Sequence, residues 1–541
     1  MRERPLPLMF TAMAAMGLAG SVRGASGEGA KPFDAGSRSQ VFIDRVLVRS
    51  ADKIRFVLHP GQKHPAGPWL EYDAQGARIY QNNGGPARPE VIYDHEEKLF
   101  KSWSSSFYNT SKDGLRWTAK EPNDDSWNHI TRPSVYKDVH DPDPARRYKV
   151  ISWSYSTDHP PRKQTEVVGV MANGKPLMFG HLKGYNTHVS PDGRRLAHLS
   201  EKPLLVRGDG LPVQERINGY YDSVRRLHVA FPKTGSVRLV SPFGVDHSRY
   251  EWSVMTSPDF VNWSPPVRIM AADEEDDAGG MARLEAAKPL FEGAPQEPKR
   301  FKSEIYAIYG AIQLESCVLV MPLILTVHHM RLNGISEFQM AVSRDLVHWS
   351  RPFRQPFIPR GKVGADCQTS AWDSGWFNVA SSCAINVGDE VWVYYEARNT
   401  PHDHPANGFS QSAFSKEVRE EAVKWNGIRY NAGVGLVTWK KDRFVSADAA
   451  DEAGTLVTVP LVFQGSQLRL NARVKTGGYV TVEILDAQDK PLARSMPFEG
   501  DALDHQTQWE TPLDLAHLAG KAVSLRFNMK SAELFAFAFR P

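Results

Sequence analysis

Two carboxyl groups facing one another, one protonated and one ionised, can break an acetal by general acid/base or nucleophilic chemistry. Three acids of this chain stand where such work is possible. Asp373 lies in Trp372-Asp373-Ser374-Gly375-Trp376, between two indoles able to pack on the apolar face of a sugar ring. Glu304 follows Ser303 and opens an apolar run, where partial desolvation would raise its pKa toward that of a general acid. Glu215, three residues before Asn218, is the reserve. For each, a turn-capping or strand-end carboxylate is the competing reading. The same holds for Asp44, and for Glu396, whose simplest partner is Arg398. Arg88-Pro89-Glu90-Val91 and Arg132-Pro133-Ser134-Val135 each put an arginine directly before a proline. Two guanidiniums at equivalent places would make a cationic floor able to hold a carboxylate or sulfate by bidentate hydrogen bonds; rim salt bridges are the alternative. Asn218, His188, His329 and His402 suit hydroxyl binding. The histidines lack the three convergent ligands that zinc requires, and no Gly-x-Ser-x-Gly elbow occurs, so neither metal nor cofactor is expected.

The elements that must position these groups announce themselves through a repeat. Ser-x-Asp followed by an apolar anchor occurs as Ser111-Lys-Asp113-Gly-Leu-Arg-Trp117, Ser190-Pro-Asp192-Gly-Arg-Arg-Leu196, Ser257-Pro-Asp259-Phe-Val-Asn-Trp263 and Ser343-Arg-Asp345-Leu-Val-His-Trp349. A degenerate copy is Trp439-Lys-Lys-Asp442-Arg-Phe444. The spacing of roughly 70 to 95 residues matches one four-stranded sheet per repeat, and five repeats predict a five-bladed β-propeller. The aspartates are turn formers rather than catalysts. Strand-like runs separated by Asp, Pro and Gly turns precede each copy. An all-β chain is therefore expected, with a propeller over residues 38–453 and a β-sandwich over 454–541. Gln40–Val48 would either start the fold or close the ring, and the acidic run Asp273–Asp277 reads as a solvated loop.

Composition narrows the partners. The 541 residues carry a formal net charge of +3 with 23% charged residues, and no long basic stretch argues for nucleic acid. Residues 1–24 read as a signal peptide, with Arg2 and Arg4 ahead of an apolar stretch, which predicts a secreted or periplasmic protein. No later segment is long enough to insert in a membrane. Three cysteines, Cys317, Cys367 and Cys383, do not make a disulfide framework, and buried thiols are expected.

Phe42-Ile43-Asp44, His59-Pro60 with His64-Pro65, the Ser-x-Asp repeats and Trp372-Asp373-Ser374-Gly375 together resemble exported bacterial proteins. Those proteins group with the five-bladed propeller glycoside hydrolases related to families 32, 43 and 68. The resemblance implies a glycosidase, monomeric or a small homo-oligomer, acting on a plant or algal-type carbohydrate without a cofactor. The chain departs from the family at its signatures: Trp-x-Asn-Asp-Pro-Asn-Gly, Arg-Asp-Pro and Glu-Cys are all missing. The family's three acids therefore cannot be transferred, and fold alone does not supply function. Two alternatives stay open. One is a polysaccharide lyase using Arg88, Arg132 and a base such as Tyr220 or a rim histidine. The other is a glycan-binding propeller without turnover.

Overall fold

The computed structural model describes residues 31–73, 77–154, 165, 167–171, 173–178, 184–200, 204–205, 216–240, 246–291, 302–327, 334–402 and 431–541. They form two compact units, Leu58–Val445 and the residues up to Val57 together with Ser446–Pro541.

The larger unit is a five-bladed propeller of antiparallel sheets. Blade one is Glu90–Asp94, Leu99–Trp103, Phe107–Ser111 and Glu121–Pro122. Blade two is Thr131–Lys137, Tyr148–Ser154, Gly184–Ser190 and Ala197–His198. Blade three is Ile217–Asp222, Leu227–Val240, Asp246–Ser257 and Val267–Ala271. Blade four runs from Lys302–Gln313 through Val318–Val327 and Ala341–Ser343 to Trp349–Ser350. Blade five is Trp376–Ala380, Glu390–Arg398 and Ala432–Lys440, and its outer edge is completed by Gln62–Lys63 and Trp69–Leu70. These two N-terminal pieces close the ring, as a velcro strand that leaves no open edge on that blade.

The innermost strands are joined to one another by side chains as well as by packing. Ser134 Oγ donates to the Gly219 carbonyl at 2.7 Å and contacts Ser382 Oγ at 2.7 Å. Gly310 N donates to the Ser381 carbonyl at 2.8 Å, and Ser381 Oγ donates to the Pro89 carbonyl at 2.7 Å. Small hydroxyl side chains suit this axis, because they satisfy backbone carbonyls where five strands leave no room for bulk.

The repeat does what its residue types require. In each of four copies the serine Oγ donates to the aspartate Oδ1, at 3.0, 3.0, 3.0 and 3.2 Å in chain order. That Oδ1 accepts the next two turn amides; at Asp345 these come from Val347 at 2.9 Å and His348 at 2.7 Å. The following residue takes a left-handed backbone, at Gly114, Gly193, Phe260 and Leu346. Three tryptophans then bond back into the turn, Trp117 to Gly114, Trp263 to Phe260 and Trp349 to Leu346. Burial works to raise the Asp345 pKa, but the His348 side chain and the turn amides outweigh it and draw it down to about 2. A carboxylate whose folded pKa is depressed stabilises above its unfolded value of about 3.9 and loses that contribution as pH falls through the folded value. Asp113, Asp192 and Asp259 are depressed likewise. Asp345→Ala should therefore cost about 1 kcal/mol at neutral pH, as for loss of a helix cap. In urea titrations the difference from wild type should shrink between about pH 4 and pH 2.

Two expectations need correction. The acidic run is not a solvated loop. Asp273 caps the helix Glu274–Ala286 through a reciprocal capping box with Asp276. Asp276 and Asp277 are buried, paired with Arg351 at 2.5 Å and with Arg249 respectively. The arginines that neutralise the run come from distant segments, and two glycines in the helix hide its periodicity. Gln40–Val48 does not close the ring by pairing with the last blade. Gln40–Val41 pairs with Ser524–Arg540, and Val48–Asp52 pairs with Gly454–Thr458, so this segment belongs to the second unit.

That unit is all-β around the long strands Gln467–Leu485 and Ser524–Arg540, which pair along their length. Phe527 and Phe537 lie ten residues apart yet their ring centroids are 5.8 Å apart, whereas ten extended residues span about 33 Å. The strand therefore bends back at Ser531, which has a φ of 45°, and its two halves enclose one apolar core with Phe42 between them. The three cysteines are free thiols. Among the described residues no helix is long and apolar enough to cross a membrane.

Candidate functional site

Within the propeller, the innermost strands converge on a cavity of about 240 Å³ lined from all five blades. Blade one contributes Arg88 and Glu90, blade two Thr131 to Pro133, and blade three Arg216 to Asn218. Blade four contributes Tyr309, and blade five Asn378, Ser382 and Glu396.

Two carboxyl groups line this cavity in opposite electrostatic settings. Glu90 is held by the Val135 amide at 2.8 Å on Oε1 and by Ser382 Oγ at 2.7 Å on Oε2. Among the described residues no cation is bonded to it, and burial pushes its pKa up to about 8 despite those hydrogen bonds. Burial thus favours the protonated form of Glu90. Glu396 sits on the second strand of blade five, which runs Glu390–Arg398. Asn378 Nδ2 donates to its Oε1 at 2.7 Å, and Arg88 pairs with its Oε2. Burial alone would raise its pKa, but the Arg88 charge overcomes that and holds it below the ordinary carboxylate value. Glu396 is thus ionised. Environments that split the pKa values of two carboxyls in one cavity in this way suit one to act as acid and the other as base or nucleophile.

Arginines surround the pair. Arg88 also faces Glu71 at 3.8 Å, whose own pKa burial raises against the pull of Arg88. Arg216 donates to the Asn378 carbonyl at 3.1 Å and to Asn378 Oδ1 at 2.9 Å, bonds the Tyr309 hydroxyl, and lies 4.8 Å over the Tyr306 ring. Arg132 is exposed on the cavity wall.

Of the residues expected from sequence to bind or act, Arg88, Arg132 and Asn218 line this cavity. Asp373 and Glu304 do not. Asp373 is 1% exposed, paired with Lys63 at 2.5 Å and bonded by the Tyr395 hydroxyl at 2.9 Å, so it ties the ring-closing strand to blade five. Glu304 is fully buried beside Lys302 at 3.0 Å. Glu215 and His329 lie outside the described residues. Trp376 is buried against His402 and Tyr306 rather than presented as a stacking wall, while Trp372 stacks on Tyr395 at 5.6 Å. His188 is on the third strand of blade two, not on a rim, buried against Ser152 at 3.1 Å. His402 bonds the Tyr306 hydroxyl at 3.2 Å. Tyr220 is buried and is not among the cavity-lining residues. Glu396 takes Arg88, not Arg398, as its bonded partner, because a strand places side chains two apart on one face without turning their heads together. Sequence reasoning missed Glu90, Arg216, Asn378 and Tyr309. Glu90 stood inside the Arg-Pro motif that drew notice to Arg88, and Arg216 stands before Ile217-Asn218 at the same offset.

No family model matches the chain, and no curated protein matches it. Among solved structures it is similar to a protein described as a glycoside hydrolase, with 12% identity, 73% of this chain and 93% of the other covered, and a TM-score of 0.35. A family 43 arabinoxylan arabinofuranohydrolase from Bacillus subtilis shares 10% identity over 94% of this chain and 96% of its own, with a TM-score of 0.32. An exo-inulinase from Aspergillus awamori shares 10% identity over 89% and 98%, with a TM-score of 0.33.

Proposed function

We propose that this chain is an exported glycoside hydrolase that cleaves a plant or algal-type poly- or oligosaccharide in the five-blade cavity. The observation that carries the reading is the pairing of Glu90, protonated at neutral pH, with ionised Glu396 in one cavity. Glu90 would protonate the leaving glycosidic oxygen, and Glu396 would activate water or attack the anomeric carbon. Arg88 and Asn378 keep Glu396 ionised and oriented. These roles replace Asp373 and Glu304 as the proposed pair, because a buried carboxylate already neutralised by a bonded lysine has neither a proton to give nor a free approach to substrate. Export rests on the apolar, positively led N-terminal stretch.

The test is the pH dependence of kcat/KM on a hydrolysed glycan. The active form has Glu90 protonated and Glu396 ionised. Activity should therefore fall as pH rises through about 8, and on the acid side only below the ordinary carboxylate range of about 4.3. A profile flat from pH 6 to 10 would remove Glu90 from the role of acid.

One observation favours a second reading. Tyr309 lies in the cavity with its hydroxyl bonded to Arg216. Tyrosine and arginine can abstract a proton beside a uronate and neutralise its carboxylate. Ultraviolet-absorbing unsaturated products would establish that lyase chemistry in place of hydrolysis.

A further inference from the structure

Behind the cavity, a chain of oxygen atoms from four blades crosses the propeller axis. Glu90 Oε2 lies 2.7 Å from Ser382 Oγ, Ser382 Oγ 2.7 Å from Ser134 Oγ, and Ser134 Oγ 2.7 Å from the Gly219 carbonyl oxygen. Glu90, Ser134 and Ser382 are buried, and oxygens this close are hydrogen-bonded. Gly219 lets blade three approach, since a Cβ there would meet Ile151 of blade two at 2.6 Å. The Gly219 N–H also donates to Ser134 Oγ, at 2.9 Å, so one serine serves both backbone groups of that residue.

Three contacts need three hydrogens, and each serine hydroxyl brings one. The Gly219 carbonyl can only accept, so the Ser134 hydrogen goes to it. The Ser382 hydrogen then goes to Ser134 Oγ. The third hydrogen, between Glu90 and Ser382, is the carboxyl proton of Glu90. Asn218 Oδ1, 3.4 Å from Ser134 Oγ, is another acceptor and supplies none. The opposite chain, in which Ser134 donates to Ser382 and Ser382 to Glu90, leaves the Gly219 contact without a hydrogen. Arg88, Arg132, Arg216, Tyr309 and Glu396 line the same cavity, and Cys383 stands behind Ser382 near Glu90. Among the described residues, Glu90 is bonded by none of these charged or titratable groups but by Val135 and Ser382. Burial raises the Glu90 pKa to about 8 against the pull of the Val135 amide. With the carboxyl as donor, the Ser382 hydroxyl works with burial rather than against it.

Resting on the hydrolase reading, we propose that Ser134 and Ser382 are positioning residues that keep the acid loaded, by carrying a hydrogen-bond chain from the Glu90 Oε2 proton to the Gly219 carbonyl in the free enzyme. When that proton passes to the glycosidic oxygen, the Oε2–H bonding pair stays on Glu90. Ser382 then turns its hydrogen from Ser134 to Oε2 and stabilises the new carboxylate.

The experiment follows the Glu90 carboxyl directly, by carbon-13 NMR titration of the full chain labelled at glutamate, its signal identified by loss in Glu90→Gln. The pH dependence of kcat/KM is measured alongside, because it reports the free enzyme. In Ser134→Ala, Ser382 loses its acceptor and turns its hydrogen onto Glu90 Oε2, which favours the carboxylate. The titration midpoint and the alkaline limb of activity should both fall by about one pH unit, the size of one hydrogen bond. Ser134→Thr keeps the hydroxyl and should keep the wild-type values. A midpoint unchanged or raised in Ser134→Ala overturns the proposal, a rise being what a permanently donating Ser382 would give. An equal fall in Ser134→Thr overturns it too, since the hydroxyl would then be irrelevant. If Ser134→Ala does not fold, neutron diffraction from deuterated wild-type crystals decides. Deuterium on Ser134 directed at the Gly219 carbonyl is expected, and deuterium directed at Ser382 overturns the chain. The two readings fail separately. A lowered midpoint with no turnover of any glycan sinks the hydrolase reading alone, whereas glycan hydrolysis whose alkaline limb is unmoved in Ser134→Ala sinks the hydroxyl chain alone.

Discussion

Glu90→Gln should lower kcat on a natural glycan by about 10²- to 10⁴-fold, the usual contribution of a positioned general acid. The substitution keeps the shape of the side chain and its contacts with Val135 and Ser382, so binding and stability should change little. The loss should depend on the leaving group. An aryl glycoside with an acidic phenol departs without protonation, and on it the variant should retain most of the wild-type rate. The alkaline limb of the pH profile should vanish from the residual activity, because the group responsible for it is gone. Equal losses on both substrates would mean that Glu90 shapes the cavity rather than delivering a proton.

The largest effect on stability is expected at Asp276. Its carboxylate takes both Arg351 nitrogens, at 2.6 and 2.5 Å, and a third guanidinium contact from Arg354 at 3.3 Å, while closing the capping box of its helix. Asp276 itself is 1% exposed. Asp276→Ala leaves the Arg351 guanidinium buried without its counter-charge, which costs about 3–5 kcal/mol. Asp273→Ala removes only an exposed cap and its rim pair with Arg354, and should cost about 1 kcal/mol. Denaturant unfolding monitored by tryptophan fluorescence distinguishes them. Because the penalty comes from the stranded charge, Asp276→Leu combined with Arg351→Met should recover most of the loss. A double variant as unstable as Asp276→Ala would place the energy in the cap instead.

The blades were legible because each is closed by a local device. Ser-x-Asp, a left-handed fourth residue and a tryptophan bonded back to it fit within seven positions, so the sequence repeats what the turn requires. Ring closure was not legible, since Gln62–Lys63 and Trp69–Leu70 are two-residue strands whose partners lie more than 360 positions away. The acidic helix failed for a related reason: Asp276 and Asp277 look solvated until Arg351 and Arg249 are brought to them. At the site, the Arg-Pro entries of blades one and two were visible, but the weight fell on the arginines and passed over Glu90. What distinguishes Glu90 from Asp373 is the company each keeps. Among the described residues one is buried without a bonded cation, which favours its protonated form; the other is buried and paired with Lys63, and strand order alone shows neither. Asp373 looked the better acid because of its flanking tryptophans, yet Trp376 faces inward. A flanking aromatic indicates a sugar platform only when its face is open.

The most direct test of the central claim is reducing-end release from a panel of neutral, uronic and sulfated glycans by wild type, Glu90→Gln and Glu396→Gln in parallel. New reducing ends from wild type, without ultraviolet-absorbing products and with at least 100-fold losses in both variants, are the expected result. Full turnover in both variants, or unsaturated products from wild type, would contradict it.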